Sequence, residues 1–352
     1  MIFRNILKYS FYSSKIYFRG REKSNLRIFY DLLIYFVKTG EFNSYYYAYG
    51  LNVKDSNSAD YIGKKEMNKL ISIYNKKLRI KCGINDDIGC DIITKDKFYL
   101  TSLLNEHNIP VIQNVSLVSA GKIINSNGEE YELEKIFDYD FPIIIKNTIL
   151  EYNEGILFIE KETHNHFINN DVIGNREYLY PKLIFGNWII QNVVQSSTQI
   201  RRINDTALNT TRIVTIYGKS GPEYLAGFQA FATNQQKTDS WGKGSVYVGF
   251  NRETETLEKN GFFHPDIQNA GLVTEHPDSK IEFEGYKIPG LSDAVKMCIK
   301  AHRYLYYMFL IGWDVAITDD GPKILEANEK PGMNAVQCVS GGLREKLNNI
   351  QI

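Results

Sequence analysis

The segment that most constrains the fold of this chain lies near its C-terminus, at residues 312–332. It contains two apolar runs of strand length, which are joined by Asp319, Asp320 and Gly321. Such runs predict a β-hairpin, because glycine readily takes the left-handed backbone that a three-residue hairpin loop favours. The segment therefore predicts a sheet with antiparallel strands.

Three oxygen-bearing side chains carry the chemistry of this predicted hairpin. If Gly321 is left-handed in a three-residue loop, Asp314 faces Glu326 across the ladder, and Asn328 shares their face. Such oxygens are costly to bury among apolar neighbours unless a cation compensates, and they suit Mg²⁺ or Mn²⁺. A two-residue or four-residue turn would put Asp314 on the opposite face, and an ordinary hairpin with a solvated polar face is the alternative.

Short β-like runs separated by Gly and Asn turns fill the chain between residues 111 and 250. Thr94 is expected to cap a helix that continues past Leu104, and Ser292 one whose apolar face reaches Phe309 and ends at Gly312. Strands before and after long helices predict an α+β or α/β fold. The predicted strands are 111–118, 143–146, 156–159, 188–194, 211–217, 224–231 and 245–250.

The N-terminal region is basic and aromatic. Between Arg4 and Arg27 the local charge is +6, with Glu22 the single acid. Such a segment could lie on an anionic membrane, where each Lys or Arg near the headgroups gains about 1 kcal/mol. A helix packed on the body of the protein is the alternative, because the apolar run at 28–37 needs a protein partner. The basic residues are Arg4, Lys8, Lys15, Arg19, Arg21, Lys23 and Arg27.

The composition excludes several classes of protein. The 41 basic and 41 acidic side chains give no net charge, so bulk charge does not predict a nucleic-acid partner. No run approaches eighteen uncharged apolar residues, and the first residues lack the apolar core of a secretory signal. The four cysteines are spaced as free thiols. We therefore expect a cytoplasmic protein, peripheral at the inner membrane face if residues 1–27 contact lipid.

Trp313 to Ala316, followed by Gly321 to Asn328, resembles the end of an ATP-grasp domain. The sequence is most similar to the sugar-transfer-associated branch, which is related to glutamate-ligase-like proteins and found with cell-surface polysaccharide genes. The resemblance implies an α+β ATP-grasp fold, with two lobes enclosing ATP at 94–190 and 191–345 and a helical region at 1–93. Further matching blocks are 45–50, 96–97, 108–110, 141–146, 209–215, 241–250 and 264–266.

The resemblance implies a nucleotide site with a metal. Lys146 and Lys97 match the family lysines that contact the ATP phosphates, and the residues 147–155 match the loop that closes over them. That loop has Gly155 where many relatives have several glycines. Asp314, Glu326 and Asn328 would hold the Mg²⁺ ions. The hinge that meets the adenine would be formed by Gln191, Asn192, Val193 and Val194.

Basic residues near the second lobe would handle the reacting groups. A guanidinium in the middle of an apolar strand, as at Arg212, is costly without an anionic partner. By resemblance Arg212 would stabilise the γ-phosphate and an acyl phosphate, with Asn209 nearby. Lys243, in a glycine-flanked turn, could reach a substrate carboxylate, although a plain hairpin turn explains it too. An acidic substrate, or only salt bridges, would be bound by Arg201 and Arg202.

The family implies an ATP-dependent ligase that joins a carboxylate to an amine through an acyl phosphate. One substrate would be a carboxylated sugar of capsule or O-antigen biosynthesis, and the other an amino acid or amine. A kinase that phosphorylates a sugar hydroxyl is the first alternative. The second is a non-catalytic ATP-binding scaffold of a polysaccharide assembly complex.

Overall fold

The computed structural model describes residues 2–12, 22–84, 91–149, 155–159, 167–169, 172–174, 176–267 and 271–350. The chain divides into two compact units. The first comprises residues 1–88, 196–322 and 330–352, and the second comprises residues 89–195 and 323–329. The three segments inferred from the sequence, 1–93, 94–190 and 191–345, stay a prediction.

The described part of the chain contains both helices and strands. The helices are α1 (Ile2–Tyr12), α2 (Asn25–Thr39), α3 (Lys64–Lys81), α4 (Ile92–Lys95), α5 (Lys97–Glu106), α6 (Arg176–Ile184), α7 (Thr198–Ile203), α8 (Leu291–His302), α9 (Met333–Ser340) and α10 (Arg344–Asn349). The strands are β1 (Asn114–Ser119), β2 (Lys122–Asn125), β3 (Glu130–Glu132), β4 (Ile143–Asn147), β5 (Ile156–Ile159), β6 (Phe167–Asn169), β7 (Val172–Gly174), β8 (Asn187–Asn192), β9 (Thr211–Gly218), β10 (Gly221–Phe231), β11 (Val246–Asn251), β12 (Thr256–Phe262), β13 (Leu272–Val273), β14 (Leu310–Thr318) and β15 (Gly321–Asn328).

The first unit is built on a sheet in which β13-β12-β11-β10-β9-β14 are neighbours in this order. The pairs from β13 to β14 are antiparallel. Helix α8 packs on β9, β10 and β14, while α9 packs on β10, β11 and β12. The predicted left-handed glycine of the hairpin is confirmed, because Gly321 has a φ of 107°.

The tyrosine-rich segment of the N-terminal region belongs to the core of the first unit. Tyr46 is 2% exposed, and its hydroxyl donates to Asp31 Oδ2 at 2.8 Å. It shares one hydrophobic cluster with Leu32, Val214 and Leu310. The helical N-terminal region is therefore confirmed, and its apolar side chains complete the core beside β9 and β14.

The second unit is built on an antiparallel sheet with the order β3-β2-β1-β8-β4-β5. On β4, Ile143 and Ile145 are fully buried, as the two-residue period of a strand requires. The segment before β1 adds a parallel bridge between Val111 and Ile324, with hydrogen bonds of 3.0 Å on both sides. Helices with antiparallel sheets in both units confirm the α+β class.

Two helix starts differ from the prediction. Helix α5 is capped by Asp96, whose Oδ1 accepts from the backbone N–H of Phe98 and Tyr99, and Thr94 lies inside α4. Ser292 does not cap α8 either, because the carboxylate of Glu255 accepts from the N–H groups at its start.

The predicted end of the second helix, at Gly312, is also wrong. Helix α8 ends at His302, and a 3₁₀ turn follows at Arg303–Leu305. Gly312 lies within β14. The predicted free thiols are confirmed for Cys82, Cys298 and Cys338.

Within the described ranges, no helix combines the length and the apolar character that crossing a bilayer requires.

Candidate active site

In the second unit, two lysines lie close together at the ends of neighbouring elements. Lys97 is the first residue of α5 and is 9% exposed, while Lys146 lies near the end of β4. The backbone N–H of Lys97 donates to the carbonyl of Thr148 at 2.8 Å, which ties the start of the helix to the chain just after the strand. Asp96 fixes this helix start by capping it. Two cations at a helix N-terminus form a region suited to phosphate oxygens.

The electrostatics of Lys146 support this interpretation. Burial lowers the pKa of Lys146, the nearby carboxylate of Glu326 raises it, and the positive charge of Lys97 lowers it further. A lysine in this environment gains most from an added anion, because the anion offsets both the lost hydration and the repulsion.

Two of the three predicted metal ligands are neighbours on β15. Asn328 Nδ2 lies 3.4 Å from Glu326 Oε1, as expected for residues two apart on one face of a strand. A carboxylate and an amide carbonyl are oxygen donors of the kind that Mg²⁺ accepts. In the part of the chain that the structure describes, no three His, Cys, Asp or Glu side chains are grouped to hold a metal ion. The trio with Asp314 contains only two such side chains, and it stays a prediction.

The predicted hinge residues lie at the end of β8 and just after it. Gln191 is 3% exposed, and its Nε2 donates to the carbonyl of Ile112 at 3.3 Å and to Asn114 Oδ1 at 2.9 Å. Its side chain thus holds the start of β1 against β8. Asn192 is exposed, and Val193 and Val194 are partly exposed.

In the first unit, Arg212 and Asp314 face each other on paired strands. They are directly opposite in the register of β9 and β14. Arg212 Nε donates to Oδ1 of Asp314 at 2.5 Å, and Nη2 donates to Oδ2 at 3.0 Å. This bidentate pair provides the anionic partner that a guanidinium in an apolar strand requires.

Gly312 makes room for the pair. A Cβ at this position would lie 2.5 Å from Pro331 Cβ and 3.3 Å from Arg212 Nη1. A glycine is therefore needed at this point of β14, two residues before Asp314.

Asp239 interacts with the charge of Arg212, and the sequence did not predict this. Its Oδ2 accepts from the backbone N–H and the hydroxyl of Thr210, both at 2.6 Å. Burial raises the pKa of Asp239, while these hydrogen bonds and the charge of Arg212 lower it. The sequence signal was weak, because Asp239 lies in Thr-Asp-Ser, a composition typical of turns.

Asn209 is fully occupied by backbone contacts. Its Nδ2 donates to the carbonyls of Asn204 and Ala207, and its Oδ1 accepts from the N–H of Ala232 at 2.9 Å. The side chain is 0% exposed. Asn209 therefore fixes the loop that leads into β9 and so positions Arg212.

The remaining predicted basic residues lie on the surface of the first unit. Lys243 is exposed in a 3₁₀ turn at Trp241–Lys243. Arg201 Nη2 lies 3.4 Å from Asp319 Oδ2 in the hairpin loop, and the same carboxylate accepts from the N–H at the start of α7. Arg202 is exposed on α7. The salt bridge that the sequence left as an alternative is thus present for Arg201.

Some predicted features lie outside the described residues. They are the central part of the phosphate loop (150–154) and the basic residues at 15, 19 and 21.

The resemblance to ATP-grasp proteins predicted two kinds of feature. They are lysines at the start of a helix and on a strand, and carboxylate and amide oxygens on a hairpin strand. The family described as sugar-transfer associated ATP-grasp matches residues 84–352, which is more than half of the chain. The chain belongs to this family and has its fold.

Solved structures of ligases are similar to the chain at low identity. D-alanine–D-alanine ligase from Bacillus anthracis complexed with ATP is 12% identical, with 78% of this chain and 68% of that chain covered and a TM-score of 0.41. D-alanine–D-alanine ligase from Coxiella burnetii is 11% identical, with 75% and 58% covered and a TM-score of 0.41.

An ADP complex of N5-carboxyaminoimidazole ribonucleotide synthetase is 13% identical, with 68% of this chain covered and a TM-score of 0.39. The match spans 46% of that synthetase, and 48% of the enzyme from Thermotoga maritima. No curated protein matches the chain.

Proposed function

We propose that the chain is an ADP-forming ligase that uses ATP to join a carboxylate to an amine. The observation that carries the proposal is the pair of lysines in the second unit, Lys97 and Lys146, with Glu326 close enough to influence the charge of Lys146. Because the chain belongs to the ATP-grasp family, we infer that the anion bound by these two lysines is the phosphate group of a nucleotide.

In this proposal the second unit binds the nucleotide. Lys146 and Lys97 contact the α- and β-phosphates, where point charges offset the negative charge of the triphosphate. The backbone at Asn192, Val193 and Val194 meets the adenine edge. Gln191 contributes its backbone, because its side chain is committed to Ile112 and Asn114.

A divalent ion fits the donor set on the hairpin strands. Asp314, Glu326 and Asn328 offer carboxylate and amide oxygens, and we propose that they hold Mg²⁺ or Mn²⁺ with the phosphates. When bound, the ion neutralises charge on the phosphates. Asp314 also holds Arg212 through two hydrogen bonds, so the same carboxylate orients the guanidinium.

The chemistry proceeds in two displacements. A carboxylate oxygen of the acceptor attacks the γ-phosphorus of ATP, and ADP leaves with the electrons of the broken P–O bond. The amine nitrogen then attacks the acyl carbon, inorganic phosphate leaves, and the nitrogen loses a proton. Arg212 stabilises negative charge on the transferring phosphoryl group, and Lys243 binds the acceptor carboxylate, with Arg201 and Arg202 binding other acidic groups of the substrate.

The substrates are proposed from the chemistry and the family together. The acceptor is a carboxylated sugar, and the amine is an amino acid or a simple amine, in capsule or O-antigen biosynthesis. These are small molecules, and the enzyme works in the cytoplasm with residues 1–27 in peripheral contact with the inner membrane face.

The test is a product analysis. The purified chain is incubated with ATP, Mg²⁺, a panel of uronic-acid sugar nucleotides and pooled amino acids, and the products are identified by mass spectrometry. We expect ADP, phosphate and a condensation product lighter by one water than its two precursors. A phosphorylated sugar would instead establish a kinase, and a failure to bind ATP in a calorimetric titration would contradict the proposal.

A matched pair of variants links the activity to the site. Lys146→Met should abolish product formation. Lys122→Met, which removes an exposed lysine of the same unit from its ion pair with Glu132, should leave product formation unchanged.

A further inference from the structure

Helix α2 has apolar side chains on two opposite faces. Ile28 and Leu32 point into the core and are 4% and 0% exposed. The opposite face carries four apolar side chains at the spacing of one helical stripe, all at least half exposed. They are Leu26 (59%), Tyr30 (51%), Ile34 (50%) and Val37 (75%).

Helix α1 also carries an exposed apolar face. Ile6 is buried against the protein, whereas Phe3, Leu7 and Phe11 follow one another at four-residue spacing and are 58%, 39% and 45% exposed. The two helices pack against each other, and the ring of Phe3 meets the ring of Phe29 edge-on at 5.8 Å. We call the seven exposed side chains the apolar stripe: Phe3, Leu7, Phe11, Leu26, Tyr30, Ile34 and Val37.

Exposed basic residues accompany the apolar stripe. Helix α1 has no acidic residue, and α2 has only Asp31. Asp31 is largely enclosed and already paired with Lys23 at 3.0 Å and Arg27 at 3.1 Å. The two helices thus carry a charge of +3 in a chain whose net charge is zero. Their exposed basic side chains are Arg4, Lys8, Arg27 and Lys38.

A helical surface with a broad apolar stripe and basic side chains beside it fits the boundary of a bilayer. Apolar side chains enter the region between headgroups and acyl chains, and Lys and Arg contact lipid phosphates. On the described part of α1 and α2, the acidic side chain is that of Asp31, and it is already paired with basic residues. This charge pattern favours an anionic bilayer as the partner over a protein of mixed charge. Nothing in this reasoning depends on the ligase reaction.

We propose that α1 and α2 together form a docking surface for an anionic phospholipid bilayer. The apolar stripe provides the inserted side chains, and Arg4, Lys8, Arg27 and Lys38 provide the contacts with the headgroups. The contact extends beyond residues 1–27 to the exposed face of α2, which ends at Thr39.

The experiment is vesicle sedimentation of the full chain. Vesicles of phosphatidylcholine alone are compared with vesicles that contain roughly one third phosphatidylglycerol, and we expect binding mainly to the anionic vesicles. The double substitution Ile34→Ser and Val37→Ser should weaken binding about tenfold or more. Its matched control, Ile73→Ser with Ile80→Ser, removes exposed isoleucines of α3 and should bind like the unaltered chain.

A second pair of variants tests the charges. Arg4→Gln with Lys8→Gln should weaken binding to the anionic vesicles about tenfold and flatten its dependence on salt. Lys69→Gln with Lys81→Gln, at exposed positions of α3, should not.

Three results would overturn the proposal. The first is no sedimentation with anionic vesicles, and the second is an equal loss of binding in the α3 control variants. The third is a dimer, measured by light scattering, that becomes a monomer when the apolar stripe is altered, since the stripe would then be an interface between copies. ATP titration of the same samples separates each result from a failure of the proposed ligase function.

Discussion

The pairing of Arg212 with Asp314 leads to a quantitative prediction about the first unit. Asp314→Asn removes the carboxylate that accepts two hydrogen bonds from the guanidinium, and Arg212→Met removes the cation. Each single change takes the opposite charge of this bidentate pair away from the remaining partner, which lies between paired strands. The double variant leaves neither charge, so it should lose less stability than the two single losses added together.

The burial of Arg212 and Asp314 sets the expected change in the free energy of unfolding. Exposed ion pairs contribute about 0.2–1 kcal/mol, whereas removing one partner of a buried pair costs about 3–5 kcal/mol. The side chains of Arg212 and Asp314 are 20% and 13% exposed, so they lie between these limits. We expect each single variant to lower the free energy of unfolding by about 2 kcal/mol, with a coupling energy of about 1–2 kcal/mol.

Urea unfolding followed by tryptophan fluorescence measures this coupling. A Trp188→Phe background leaves Trp241 and Trp313, which both belong to the first unit, as the reporters. The control cycle uses Lys259→Met and Glu284→Gln, whose side chains are 60% and 66% exposed and 3.4 Å apart. A coupling energy for Arg212 and Asp314 no larger than that of the control would refute the reasoning.

Three further predictions concern single side chains. Burial lowers the pKa of Lys146, and bound ATP should raise it, so nucleotide binding in alkaline buffer should be accompanied by proton uptake. Calorimetry in two buffers with different heats of ionisation measures this uptake. The variant Lys146→Met should abolish it. Gly312→Ala should lower the free energy of unfolding by about 1–3 kcal/mol, because the added Cβ would meet Pro331. Gly242→Ala, whose added Cβ would have no atom within 4 Å, should change it by no more than about 0.5 kcal/mol. Urea unfolding measures both changes. Burial lowers the pKa of His302 from 6.5 to about 4. Between these pH values the unfolded chain binds a proton that the folded chain does not, so the free energy of unfolding falls as the pH falls, by up to roughly 3 kcal/mol. The variant His302→Gln should flatten this part of the profile of stability against pH.

The strands were the most predictable part of the fold. β5 spans the predicted residues 156–159, and β9 exceeds its prediction by one residue. Their signal is local, because the burial of one or both faces selects apolar and β-branched residues and turn residues mark the ends. The left-handed Gly321 follows from the same local chemistry, whereas only Asp319 and Asp320 lie between β14 and β15, one residue fewer than the predicted loop.

Helix ends were less predictable because distant residues decide them. Thr94 and Asp96 are both capping types, and only the folded chain shows that Asp96 accepts from the N–H groups of α5. At α8 the capping carboxylate is that of Glu255, which lies thirty-five residues before Gly290. Gly312 resembles a helix stop in the sequence, yet its function is to let Pro331 and Arg212 approach β14.

The candidate site was predictable where a residue conflicts with its surroundings. A guanidinium in an apolar strand signals a partner, and a lysine at the end of a buried strand signals an anion. Asp239 carries no such conflict in the sequence, because its enclosure and its bonds to Thr210 arise only when residues 29 apart meet.

The most direct test of the proposed ligase chemistry follows the oxygen atoms of the acceptor. A uronic-acid acceptor with oxygen-18 in its carboxylate is incubated with the chain, ATP, Mg²⁺ and the amine found in the product analysis, and the released phosphate is examined by mass spectrometry. An acyl-phosphate mechanism transfers one labelled oxygen from the carboxylate to the phosphate in each turnover. Phosphate without the label, or a label retained in a phosphorylated sugar, would contradict the account.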